Sequence, residues 1–253
     1  MQNVFGSGIL WGIQNTDANG NLVANPTPII FGTLQDVSID TSFDTKMLYG
    51  QNQFPVAIGR GKGKISCKAS FANIQGDMIG NLLFGQSITN GILSAVYDTT
   101  GAVIPDTTYE ITPTVPGSGA FSRDLGVINA TTGQPLKLVA SAPTTGQYTV
   151  ADGVYTFAAA DVGTKVFISY EYTATSTTAK QQTVQNVTMG YAPTFRADLY
   201  MPYNGKSLIF SLPNCLSSKF SLSTKLDDFA IPEFDFDAFA DASGNVMTWS
   251  STE

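Results

Sequence analysis

The sequence contains no histidine. That removes Ser-His-Asp and Cys-His catalysis, histidine acid–base chemistry and histidine metal ligands together. Cysteine is nearly absent too. Cys67 and Cys215 are the only two, too few for a disulfide framework and unable alone to complete a zinc site. Charge is scarce, with 13% charged against 43% hydrophobic residues in a chain of 253. Such a chain can bury a real core, and its weakly charged surface suits burial against other subunits. Positive charge is the scarcer sign: 13 Lys and Arg face 20 Asp and Glu, for a net charge of −7. Gripping nucleic acid through its phosphates requires the opposite balance. No apolar run approaches the ~20 residues of a membrane span. The stretch MQNVFGSGILWG has neither the basic region nor the apolar core of a signal peptide. The expected setting is therefore a reducing cytoplasm with both thiols free. In that setting Asn129-Ala130-Thr131 and Asn186-Val187-Thr188 read as turn and strand residues, not glycosylation sites.

Phosphate-binding motifs are also missing, although one stretch invites them. GRGKGKISCKASF, Gly59 to Phe71, alternates glycine with basic residues. A P-loop needs a glycine with four residues between it and Gly-Lys, followed by Ser or Thr. Val56 and Ile58 occupy those glycine positions, and Ile65 follows Lys64. The dinucleotide pattern fails at Lys64, where its third glycine belongs, and both motifs require a helix immediately afterwards. In NTDANGN, Asp17, Asn19 and Asn21 have the first spacings of a calcium loop, but Leu22 stands where its glycine is required. That stretch reads as a type I′ turn at Asn19-Gly20. The carboxylates Asp235, Asp237 and Asp241 alternate with phenylalanines, which suggests one polar strand face in place of a catalytic pair. No catalytic, metal or cofactor site is expected.

What the sequence does carry is alternation. From Thr33 to Asp44, Asp36, Ser38, Asp40, Ser42 and Asp44 share one face; Val37, Ile39, Thr41 and Phe43 share the other. Residues 45–55, TKMLYGQNQFP, break that period and read as a long loop. It offers Met47, Leu48, Tyr49, Phe54 and Pro55 to a partner surface. The strand that follows is entered through the flexible glycine run. It places Lys62, Lys64 and Lys68 on one face and Ile65, Cys67, Ala69 and Phe71 on the other, and pairing with 33–44 would bring acidic and basic side chains together. A helix is expected over 73–85, capped by Asn73 and ended by Gly85, with Ile74, Met78, Ile79, Leu82 and Leu83 on its buried face. Residues 101–175, rich in Thr, Gly, Pro and Val, read as a β-rich insertion or small β domain, with a hairpin turn at Asp152-Gly153 and an exit linker at 174–183. The expected parts are thus 1–100, 101–175 and 176–253.

The stretches FGSGILWG, FGTLQDVSID, KMLYGQNQFPVAIGRGKGKISCKASFANIQG, SGAFSRDLGV, ASAPTTGQYTVADGVYTF and IPEFDFDAFADASGNV follow one another in order along nearly the whole chain. In this the sequence resembles the major tail tube proteins of long-tailed bacteriophages. The resemblance implies a mainly β fold, a two-sheet β sandwich or barrel of the tail tube type with one flanking α-helix and a β-rich insertion. It implies a non-enzymatic structural subunit of the virion tail. Hexameric rings would stack into a hollow conduit for DNA delivery, assembled in the host cytoplasm around a tape-measure protein and bounded by terminator and tip proteins. On that view the 45–55 loop contacts the next ring, and DNA meets the lining only in transit. The Asp36, Asp40 and Asp44 face is then either part of the lumen lining or an ordinary solvated outer face, and Lys62, Lys64 and Lys68 are charge partners within a β wall. The other reading is a β-sandwich binding or adhesion module, for which Tyr148, Tyr155, Tyr170 and Tyr172 are the available aromatics.

Overall fold

The computed structural model describes residues 3, 5–73, 75–86 and 88–252. The longer strands, in chain order, are β1 (Ile9–Gln14), β2 (Leu34–Tyr49), β3 (Pro55–Phe71), β4 (Ile92–Val96), β5 (Ala120–Asn129), β6 (Gln147–Ala151), β7 (Val154–Phe157), β8 (Lys165–Ala174), β9 (Thr194–Tyr203), β10 (Lys206–Ser221), β11 (Glu233–Ala238) and β12 (Thr248–Ser251). The chain divides into two compact units, Met1–Ile88 with Gln182–Glu253, and Thr89–Gln181.

The first unit is one open sheet. Its order is Ile29–Ile30, β1, β9, β10, β11, β3, β2, with β12 pairing the first half of β10 on the edge that β11 occupies further along. Strict alternation in β3, β9 and β11 sends one face inward: Ile65, Cys67, Ala69 and Phe71, then Phe195, Ala197 and Leu199, then Phe234 and Phe236 are all buried. Phe31 is the hub of this core. Its ring lies 5.4 Å from Phe234, 6.4 Å from Phe71 and Phe236, and 6.5 Å from Phe195. Tilted and edge-on pairs of this kind contribute about 0.5–1.5 kcal/mol each beyond the area they bury. A short helix covers the same face through Met78 and Leu82. Gly12 lets it lie close: a side chain there would start 2.4 Å from Leu82 and 2.8 Å from the Phe31 ring.

That helix differs from the expected 73–85 element. One α-turn, Gly76–Met78, passes into a π-helix, Ile79–Phe84, which ends at Gly85 in the left-handed region, φ 60°. Asn73 does not cap it. The Asn73 side-chain oxygen instead accepts the Thr33 N–H at 2.7 Å, tying the exit of β3 to the entrance of β2. Ile74, expected on the buried face, lies outside the described residues. At the N-terminal turn, Asp17 accepts the N–H groups of Asn19 and Asn21 at 2.8 and 2.9 Å. Only Gly20 there takes a positive φ, so the turn is an Asx turn and not type I′.

The second unit is where two sheets face each other. One contains β4, β8, β5 and Ala102–Val103; the other contains Lys137–Leu138, β6, β7 and Glu110–Ile111. Val127, Val166, Ile168 and Tyr170 from the first meet Tyr148, Tyr155 and Phe157 from the second in a single core. Three of the four candidate ligand-binding tyrosines are therefore core residues, with Tyr172 packed at their margin. The Asp124 carboxylate accepts hydrogen bonds from the Tyr148 and Tyr155 hydroxyls at 2.6 and 3.0 Å. Burial, reinforced by that carboxylate, pushes both phenols above their ordinary range. The Asp152-Gly153 hairpin has φ of 50° and 82°, as a type I′ turn requires. Thr89–Asn90 pairs antiparallel with Lys180–Gln181, so the chain enters and leaves this unit side by side.

Two outcomes follow. Replacing Phe31 by Ala empties the centre of five rings and is expected to lower stability by about 3–5 kcal/mol, read as a shifted denaturant midpoint; a near-neutral variant would remove Phe31 from its central place. Cys67 and Cys215 are both buried and free, and burial, then the Asp237 and Asp40 carboxylates, holds the Cys67 thiol up at about 12 from its ordinary 9.0. Between those two values the thiol is neutral in the fold and ionised in the unfolded chain. Its contribution to stability is thus complete below about pH 9 and lost as pH rises through about 12. Iodoacetamide at mildly alkaline pH should modify neither cysteine until denaturant is added. Rapid labelling of the folded protein would contradict this placement.

Candidate assembly surfaces

Strands β2 and β3 form one hairpin, and only its lower part belongs to the core. Ile65, Cys67, Ala69 and Phe71 are buried, whereas both strands from Asp40 to Lys64 stand in solvent, apart from a half-buried Pro55. The free part runs nine residues along β2 from Thr41 to Tyr49, roughly 27 Å of strand. The expected 45–55 loop is thus mostly strand. β2 continues to Tyr49, β3 starts at Pro55, and only 50–54 forms the turn. Period two fails in the sequence there for a physical reason. Neither face of the free hairpin meets a core, so nothing requires its two faces to differ. Met47, Leu48 and Tyr49 carry apolar groups to both sides, Phe54 is 80% exposed, and Val56 and Ile58 continue the patch on the return strand.

The glycine run is strand throughout. Gly63 is required by contact: a side chain there would start 2.8 Å from the Phe43 ring. Register moves from Phe43 opposite Gly63 to Thr45 opposite Arg60, so Gly61 and Lys62 together oppose Asp44. This bulge brings Arg60 to the Phe43 side, where its guanidinium lies 4.0 Å from the ring centre.

The sheet face away from the core is polar and striped by sign. β2 contributes Asp36, Asp40 and Asp44; β3 contributes Lys62, Lys64 and Lys68; β11 contributes Glu233, Asp235 and Asp237; and β10 contributes Lys219 opposite Asp235. Charge pairing runs differently from the sequence expectation. The β2–β3 register sets aspartates opposite serines (Asp36 to Ser70, Asp40 to Ser66) and lysines opposite Ser38 and Ser42. The lysines turn to the other neighbour: Lys68 pairs with Glu233 at 2.9 Å and Lys64 with Asp237 at 3.3 Å. The Lys68–Glu233 hydrogen bond raises the lysine pKa and lowers that of the carboxylate. Both groups are solvated, so the pair sets alignment more than it stabilises. With Lys46, which alternation sets beside Asp44, six carboxylates face five ammonium groups on these four strands, leaving the face weakly negative.

The striping by β11 and Lys219 escaped the strand-by-strand reading, because lateral order is a property of topology. Its local signal, the alternation in EFDFDA, was present. Asp241 lies elsewhere, in a turn where it accepts the N–H groups of Ser243 and Asn245 at 2.9 and 2.8 Å. Those bonds, the one from Asn245 foremost, keep its carboxyl below the usual range. Among the described residues no group of three or more His, Cys, Asp or Glu is placed to hold a metal ion.

None of the curated proteins matches the chain. A family model described as the YomU/Tube protein family matches residues 16–249, which take in the open sheet from its first turn to β12 and all of the second unit. The chain therefore belongs to the YomU/Tube protein family, the phage tail tube proteins that its sequence resembles.

Proposed function

We propose that copies of this chain join edge to edge into rings, six to a ring by the tail tube resemblance, and that the rings stack into the conduit through which phage DNA passes. The open sheet carries this reading. Among the described residues it ends on one side at Ile29–Ile30 and on the other at β2, whose sixteen residues pair with β3 along one edge only. Two such unpaired edges are an aggregation hazard in a monomer and are removed when copies complete one another's sheets into a closed wall. The weakly negative striped face suits the inside of that wall, since a conduit must not hold the phosphates it passes. The outcome is the tail of a virion, built in the host cytoplasm around a tape-measure protein and closed by terminator and tip proteins. In this arrangement the residues do structural work only.

The free hairpin supplies the contact between rings. Its tip is apolar on both faces and too far from its own core to be covered by it. Replacing Leu48 and Tyr49 by aspartate is expected to leave a folded subunit, because both are solvent-exposed, and to abolish tubes in negative-stain micrographs. Unchanged tubes would remove the hairpin tip from the contact. The second unit is proposed to be dispensable for the wall. Its entry and exit strands are paired neighbours, so a short Gly-Ser bridge from Ile88 to Gln182 can replace it. That variant is expected to form tubes of unchanged repeat with less mass per subunit. Loss of all assembly would make the second unit part of the ring.

A further inference from the structure

An apolar groove of about 450 Å³ opens at the root of the free hairpin, lined by Thr41, Phe43, Ile65, Ala238, Phe239 and Val246. Arg60 lies on the Phe43 ring at its border. From Phe43 to Lys64 the hairpin carries Lys46, Arg60, Lys62 and Lys64 against a single Asp44, on a chain whose net charge is −7. A second exposed apolar segment has the opposite charge. In the loop between β10 and β11, Leu226 is fully exposed and Phe229 is 90% exposed, with Asp227 and Asp228 between them.

These two features lie at opposite ends of the same strand. β11 begins at Glu233, opposite Ser70, on the side where the 222–232 loop joins it; it ends at Ala238, opposite Ile65, where the groove opens. Five residue steps separate them, about 17 Å, so a chain's own loop lies away from its own groove. A second copy has no such restriction. We propose that the Leu226–Phe229 segment of one copy seats in the groove of the next, with Leu226 and Phe229 against the apolar lining and Asp227 and Asp228 against Arg60 at its border. Because donor and acceptor surfaces differ and sit at opposite ends, the contact is head-to-tail, and in the stacked tube it repeats from ring to ring. The inference rests on the stacked-tube reading and names the segment that the hairpin root receives.

Charge exchange tests it. Tubes are quantified by sedimentation and negative-stain microscopy, with folding checked by circular dichroism. The variant D227K/D228K is expected to assemble about tenfold less than the unmodified protein or worse, from like-charge contact. Adding R60E to the same chain is expected to restore assembly, since the loop and the groove border then regain opposite signs. Phe229→Ser, at a solvent-exposed position, is expected to weaken assembly at unchanged fold. Unmodified tubes together with normal assembly of D227K/D228K or of F229S would overturn the docking. So would failure of the triple variant to recover. Absence of tubes from the unmodified protein under all conditions would instead overturn the stacked-tube reading, and the docking with it.

Discussion

Everything in the first unit depends on one constraint, the register of the 34–71 hairpin against β11. The pairing of Ile65 with Ala238 and Phe71 with Leu34 decides which residues of β3 enter the core and how much of the hairpin is left over. Because side chains alternate with period two, a slip by one residue would bury Lys64, Ser66 and Lys68 and expose Ile65, Cys67 and Ala69. The phenylalanine cluster around Phe31 forbids that slip. The same register produces the charge stripes on the far face, since it sets Asp235 between Lys68 and Lys219. Core, wall chemistry and projecting hairpin are consequences of a single alignment.

The division of labour within the hairpin follows from burial alone. Below Ile65 the chain must alternate, because one side is dry. Above it both sides are wet in the single chain, so sequence is released to serve another surface. Glycines at 61 and 63, which would weaken an ordinary strand, here admit the Phe43 ring and the bulge that carries Arg60 round to it. Apolar groups at 47–49, 54, 56 and 58 would be a liability in a monomer. In a repeating assembly they are the means of contact. The second unit's aromatics are spent on joining two small sheets through Asp124, Tyr148 and Tyr155.

The sequence showed much of this where one physical rule acts alone. Strand character, the buried faces of β3 and β11, the Asp152-Gly153 turn and the burial of Met78 and Leu82 all follow from local period or turn chemistry. Resemblance over nearly the whole chain pointed to the family. Features set by non-local partners were not legible. Residues 45–49 at the end of the hairpin read as a loop, because the test for a strand is a buried face and this segment has none within its own chain. Asn73 looked like a helix cap, but the Thr33 N–H, forty residues away, claims its side chain. Lys64 and Lys68 were expected to pair with aspartates on β2; their partners came from β11, which only the sheet order brings alongside. The charged loop at 226–229 carried no signal until its position opposite the groove end of β11 was known.

The open sheet is proposed to be completed by other copies of itself, with its striped face turned to the inside of a hollow tube. A helical reconstruction of the purified, assembled protein by electron cryo-microscopy tests it most directly. The expected map shows a continuous β wall in which β2 pairs with the β1 side of the neighbouring copy, and a lumen lined by Asp36, Asp40, Lys64 and Lys68. A reconstruction in which β2 keeps an unpaired edge, or in which those four side chains face outward, would contradict it.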